Sequence, residues 1–232
     1  MLMLCSLDGK KFSHSRPACQ AHCPVLVDFL PARRYHGPRV WNDLRSDLIV
    51  RESANVIEID GSFGEGGGQI LRTALALSCI TEKPFRLFNI RAKRDKPGLR
   101  PQHTRCVTAA AAISDAKTRG ASVGSSEIEF APGALRPGDY RFDIGTAGST
   151  CLVLQTVFYP LAFAGGESSV TIIGGTHNPF APCYHYLEQQ WGVFMRRLGF
   201  ELELHMERAG FFPLGGGEIR ARIRPVGPAA VP

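Results

Sequence analysis

Two signals in the stretch 56–105 bear on chemistry. The first is the run Gly61-Ser62-Phe63-Gly64-Glu65-Gly66-Gly67-Gly68, which follows a β-branched segment at 56–60 and leads into an apolar-periodic one at 69–80. Glycines at such a junction allow positive φ and close backbone approach. They deliver a ligand to a helix N-terminus, where unpaired N–H groups and the helix dipole favour an anion. The second signal is the stretch from Arg91 to Arg105, which carries six Lys/Arg against one Asp. Guanidinium groups grip phosphate oxygens with a planar fork and keep their charge throughout. They also stabilise the negative charge that builds on a transferring phosphoryl or nucleotidyl group. The natural partner of such a pair is a polyanion.

To position the loop and the basic run, the chain must supply alternating strands and helices. The pattern predicts a strand at 56–60, a helix at 67–80, a strand at 85–90, a helix at 102–117, and extended pieces at 121–124 and 126–131. A second set follows: strand 139–144, helix 148–164, strand 168–173, helix 183–198, and extended pieces 201–207 and 217–224. Gln69-Ile70-Leu71-Arg72 corresponds to Leu152-Val153-Leu154-Gln155, each after a glycine-rich entry, and the strand at 85–90 lies 83 residues before that at 168–173. A β-α-β-α-β-β unit used twice, over 56–135 and 138–225, is the simplest account. The expected fold is α+β, each repeat a four-stranded sheet covered by two helices. Leu71, Leu75, Leu77 and 109–113 are then core positions.

The second half has its own glycine entry, Gly145-Thr146-Ala147-Gly148-Ser149-Thr150, and a loop from Gly174 to Pro182. Two glycine entries at matching repeat positions are expected to line one cleft between the units. Gly215-Gly216-Gly217, ahead of an alternating segment, reads as a tight turn into a strand.

Composition bounds the rest. The chain has 232 residues, enough for a sizeable core, and its 44% apolar content is ordinary for a soluble protein. The formal charge of +6 divides as +3 on residues 1–55 and +3 on the remainder, so the clustering at 91–105 carries the information. Seven cysteines, odd in number and mostly at apolar positions, do not form a disulfide framework and point to a reducing, cytoplasmic setting. Cys19-Gln20-Ala21-His22-Cys23 lacks the second Cys/His pair that a zinc site needs. No window approaches 18 uninterrupted apolar residues and no signal-type segment opens the chain, so a soluble, unexported protein is expected. Residues 1–55 mix four prolines with scattered His and show no periodicity; they read as a poorly ordered extension, with 56–232 as the folded domain.

Four motifs occur together: Gly64-Glu65-Gly66-Gly67-Gly68-Gln69-Ile70-Leu71-Arg72; Ile90 to Arg94 with Pro97 to His103; Gly145 to Ser149; and Gly174-Gly175-Thr176 through Asn178-Pro179 to Ala181-Pro182. In that order and spacing, over 56 to about 225, the chain resembles the RNA 3′-terminal phosphate cyclase family. The resemblance implies that family's fold, shared with the enolpyruvyl transferases. It also implies a reaction that uses ATP and a divalent metal, Mg²⁺ or Mn²⁺. A histidine is adenylylated, AMP passes to an RNA 3′-phosphate, and the vicinal 2′-hydroxyl displaces AMP to leave a 2′,3′-cyclic phosphate. Carried over residue by residue, Glu65 is implied as the metal carboxylate. Arg72, Arg91, Arg94, Gln102 and His103 are implied as ligands of the ATP phosphates and RNA end, and Gln155 and Pro182 as part of the adenine pocket.

The family's nucleophilic histidine belongs to a later segment, beyond a third repeat, and none of the seven histidines of this chain stands in that motif. The expectation is therefore a truncated, N-terminal part of a cyclase. The alternatives are an inactive fragment, or a non-catalytic cyclase-like protein of RNA binding and ribosome assembly. The joint presence of Glu65, Arg72, Arg91, Arg94 and His103 favours cyclase ancestry, since a scaffold has no need of the set.

Overall fold

The computed structural model describes residues 50–53, 56–64 and 66–226; the extension up to residue 49 and the metal ligand expected at Glu65 lie outside the described residues. The first sheet opens with a hairpin in which Val50–Ser53 (β1) pairs antiparallel with Val56–Asp60 (β2). β2 runs parallel to Phe85–Phe88 (β3), and helix Gln69–Thr81 (α1) makes the crossover between them. β3 pairs antiparallel with Ile128–Ala131 (β5), which carries Lys117–Arg119 (β4) on its far edge; helix Pro101–Ser114 (α2) links β3 to β4. The order is β1-β2-β3-β5-β4.

The second half repeats the plan. Asp139–Asp143 (β6) lies parallel to Ser168–Gly174 (β7), with helix Thr150–Ala162 (α3) crossing over. A helical segment, α4, then runs through Tyr184–Tyr186, a π-helical turn at Leu187–Trp191, and Gly192–Arg197. Glu201–Arg208 (β8) and Gly217–Arg224 (β9) complete a sheet of order β6-β7-β9-β8. Without β1, the two sheets have the same strand order and polarity, the mark of one unit used twice.

Both repeats turn their helices toward each other, with α1 and α2 packing on α3. That explains the composition of α3, ten of whose thirteen residues are buried: a helix apolar on most of its circumference must be covered all round. Leu71, Leu75 and Cys79 of α1, Val107, Ala110 and Ile113 of α2, and Val153, Leu154, Val157, Phe158 and Leu161 of α3 form one continuous core. Each fully buried Leu or Ile there contributes roughly 1.5–3 kcal/mol over exposure.

Three expectations need correction. The first sheet begins at Val50, inside the stretch read as an extension, and so has five strands; four residues, two of them charged, carry no periodicity, and only pairing with β2 makes them a strand. α2 ends at Ser114 because Asp115 takes a left-handed conformation (φ 50°), and the edge strand is Lys117–Arg119 rather than 121–124. All three residues of that strand are exposed, so no alternation betrays it. Leu77, expected in the core, is 54% exposed. It follows the buried Leu75 by two residues, about 200° around the helix, which puts it on the opposite face.

Candidate polyanion-binding site

Three helices begin at one place. Gly67, Gly68 and Gln69 at the start of α1, Gln102 and His103 in the first turn of α2, and Ser149 and Leu152 at the start of α3 line a single cleft of about 450 Å³, together with Arg72, Arg91 and Arg94. The local reasons differ. α1 opens from glycine with no side-chain cap, leaving its first N–H groups unclaimed by a cap residue. α2 opens with Pro101, whose fixed φ suits a first helical position, after an extended Arg100. α3 is capped by Ser149, whose hydroxyl accepts the Leu152 N–H at 3.4 Å. Each N-terminus contributes a positive dipole end worth about 0.3–1 kcal/mol toward an anion.

Arg72 is the most unusual member. It is only 7% exposed, donates from Nη2 to Gln69 Oε1 at 2.8 Å, and faces no carboxylate among the described residues. Its Nε is buried without a partner. Burial pulls its pKa below the ordinary arginine value. A desolvated cation with an orphan donor is costly unless a negative ligand completes it. The contrast lies on the first sheet, where a second concavity contains Arg86. There Arg86 is met by Glu127 at 2.6 Å and Glu58 at 3.0 Å, so its charge is already answered.

Arg91 (φ 54°) donates from Nη1 to the carbonyls of Lys96 (2.7 Å) and Gly98 (3.2 Å), bracing the basic loop. Its pKa is lowered by burial and then by Arg94 and Arg100. A Cβ placed on Gly67 would stand 3.3 Å from Arg94 Nη2, and one on Gly68 would strike the His103 ring and stand 2.9 Å from Arg72 Nη1. Glycine is required at 68 because the imidazole and guanidinium press against the backbone.

His103 accepts the Arg100 N–H on Nδ1 at 3.2 Å, so the neutral ring carries its proton on Nε2, the nitrogen beside Gly68 and Arg72. Burial, then Arg91, Arg72 and Arg100, push its pKa down to about 4. At neutral pH His103 is an uncharged N–H donor directed at the cleft. Gln102 spends its Oε1 on the Ser149 N–H (2.8 Å), a bond between repeats, which leaves its amide NH₂ for a ligand.

The cleft runs into an apolar slot of about 370 Å³ that shares Gln69, Arg72, Leu152 and Phe180 with it and adds Gln155, Pro182, Tyr186, Leu187 and Trp191. The π-helical turn of α4 supplies Leu187 and Trp191 to the slot's wall. Every expected site residue that is described thus falls in this pair of cavities: Arg72, Arg91, Arg94, Gln102 and His103 in the cleft, Gln155 and Pro182 in the slot. Residue-level reading missed Leu152, Tyr186 and Trp191 as site residues, and it reached Ser149, Asn178 and Phe180 only as members of the second glycine entry and of the loop 174–182. Asn178 Nδ2 donates to the Ala147 carbonyl, tying that loop to the second glycine entry. Among the described residues, no group of three or more His, Cys, Asp or Glu could hold a metal, and no helix is long and apolar enough to cross a membrane.

A family model for RNA 3′-terminal phosphate cyclase matches residues 63–231. The chain is 52% identical over 170 residues to an RNA 3′-terminal phosphate cyclase of Archaeoglobus fulgidus, a match that covers 73% of this chain and 52% of the relative. It is 53% identical over 169 residues to that of Ectopseudomonas mendocina, covering 73% and 49%, and 54% identical over 171 residues to that of Ignicoccus hospitalis, covering 74% and 48%. The chain spans about half the length of the relatives it matches.

Proposed function

Since the chain belongs to the RNA 3′-terminal phosphate cyclase family, we propose that it forms the phosphate-binding half of an enzyme that converts an RNA 3′-terminal phosphate to a 2′,3′-cyclic phosphate with ATP. The observation that carries this reading is the meeting of three helix N-termini with the buried Arg72 and its orphan Nε in one cleft beside an apolar slot. A polyphosphate or RNA 3′-phosphate suits the cleft, and a nucleobase suits the slot formed by Leu152, Gln155, Pro182 and Trp191.

In this reading a histidine nitrogen of the enzyme takes AMP from ATP, with pyrophosphate leaving as the α–β phosphoanhydride bond breaks, and the AMP passes next to the RNA 3′-phosphate. The RNA phosphate oxygen attacks the phosphorus of AMP as the bond to the histidine nitrogen breaks. The 2′-hydroxyl then attacks the 3′-phosphorus, loses its proton and expels AMP. Charge builds on phosphate oxygens at both steps, and Arg72, Arg91, Arg94 and the Nε2–H of His103 are the donors that answer it. Gln102 holds the α3 N-terminus in place for the same purpose. A divalent ion, Mg²⁺ or Mn²⁺, would be held at Glu65, and the roles of Arg72, Arg91, Arg94, Gln102 and His103 do not depend on it. RNA ends and ATP are the proposed partners.

The test compares binding of a short 3′-phosphorylated oligoribonucleotide with its 3′-hydroxyl counterpart. A preference of at least about 10- to 150-fold for the phosphorylated end is expected, the value of one charge-assisted hydrogen bond, with ATP competing. Equal binding of both ends would refute the reading.

A further inference from the structure

The loop between β7 and α4 presents a ring that the phosphate cleft does not use. Phe180 is fully exposed, at 107%, and stands where the cationic cleft meets the apolar slot, bordering both. Its φ is +60°, a left-handed conformation that a residue with a Cβ adopts only when its surroundings impose it. The surroundings of Phe180 do so. The Tyr184 N–H donates to the Thr176 carbonyl at 2.9 Å across the loop's base, Asn178 is tied to Ala147, and prolines at 179 and 182 fix two more φ angles.

A large apolar ring left in water, on a strained but braced backbone, at the rim of a cationic cleft has no packing role. It matches how single-stranded nucleic acid is held, by a cationic groove for the backbone and an exposed aromatic face for a base. Arg72, His103 and Phe180 line one cleft, so a terminal phosphate seated against the first two has the sugar and base of its own nucleotide to place along the wall that Phe180 borders. The slot, with enclosing walls at Leu152, Leu187 and Trp191, has no need of a ring that points to solvent.

We propose that Phe180 is the stacking platform for the nucleobase of the RNA's 3′-terminal nucleotide, and so a binding residue for the RNA end whatever its base. The inference rests on the reading of the cleft as an RNA 3′-phosphate site. Bracing of the loop backbone lowers the entropy lost when a base docks, and stacking tolerates any base because each has a π face.

Binding is measured for two short oligoribonucleotides, one ending in adenosine 3′-phosphate and one in an abasic 3′-phosphate, on wild type and on Phe180→Ala, Phe180→Gly and Phe180→Trp. Wild type is expected to favour the base-bearing end by about 5- to 150-fold; Ala and Gly erase that preference and Trp keeps it. Phe180→Gly also removes the left-handed strain, so its unfolding temperature at or above wild type excludes misfolding as the cause. If Phe180→Ala keeps the wild-type preference, or weakens ATP while leaving RNA unchanged, the platform is refuted. Failure of the wild type to prefer a 3′-phosphate over a 3′-hydroxyl would instead refute the underlying reading of the cleft.

Discussion

Oε1 of Gln102, in the first turn of α2, accepts the backbone N–H of Ser149 at 2.8 Å, so a side chain of the first repeat secures the N-terminus of α3 in the second. The two residues are 47 apart in sequence, and both line the cleft that also holds Arg72, Arg91 and Arg94.

Gln102→Ala leaves a part-buried N–H without its acceptor and should cost about 1–3 kcal/mol in urea unfolding. Gln102→Glu keeps the acceptor and adds a carboxylate among cations. Its stability should stand at or above wild type while its affinity for tripolyphosphate falls. A Gln102→Ala protein as stable as wild type would show that the bond between repeats is dispensable.

The pH dependence follows from His103, whose pKa falls from 6.5 to about 4. Above pH 6.5 the ring is neutral folded and unfolded, and it adds no pH dependence. As pH drops through 6.5 the unfolded chain takes up a proton that the folded one refuses, so stability declines until about pH 4, where both are protonated. At about 1.4 kcal/mol per unit the decline is roughly 2–4 kcal/mol. Unfolding free energies of wild type and His103→Asn, compared at pH 7 and 4.5, isolate it: the wild type should lose more, and parallel losses would assign the effect to other groups.

Arg72 and Lys93 should behave oppositely. Arg72→Met replaces a buried cation that faces no described carboxylate by an apolar side chain of similar reach, so without ligand it should be neutral or stabilising by about 1–4 kcal/mol. The same change should weaken binding of ATP or a 3′-phosphorylated RNA by roughly 10- to 150-fold. Lys93 is exposed, with Nζ only 3.4 Å from the Gly64 carbonyl, and Lys93→Ala should cost under about 1 kcal/mol in binding, largely screened by salt. Isothermal titration at two ionic strengths separates the two. Equal losses for both would mark the cluster as a non-specific cationic surface.

His103, which lines the cleft, accepts the Arg100 N–H on Nδ1 and carries its proton on Nε2, so neither ring nitrogen is open to attack phosphorus; His177 and His185, 3.0 Å apart through Nε2 and Nδ1, line neither cavity. This chain alone, incubated with labelled ATP and a divalent metal, should therefore form no acid-labile, base-stable adduct, the behaviour expected of a histidine phosphoramidate. Stoichiometric labelling would overturn that and point to His177 or His103.

What was legible in the sequence was whatever is written locally. Glycine runs between a strand and a helix, a basic stretch after β3, and the recurrence of one strand-helix pattern at a spacing of 83 residues all depend on neighbours along the chain, and they specify the duplicated unit and the anion chemistry. What only the tertiary structure decided depends on partners far away in sequence. β1 and β4 are too short and too polar to show a period, and they are strands because β2 and β5 offer edges. Leu77 looks like Leu75 in composition, yet the packing of α1 on α3 leaves it in water. The desolvation of Arg72, the neutrality of His103 and the exposure of Phe180 are set by the tertiary structure, because burial and field at a site depend on everything that surrounds it and not on the residues that name it.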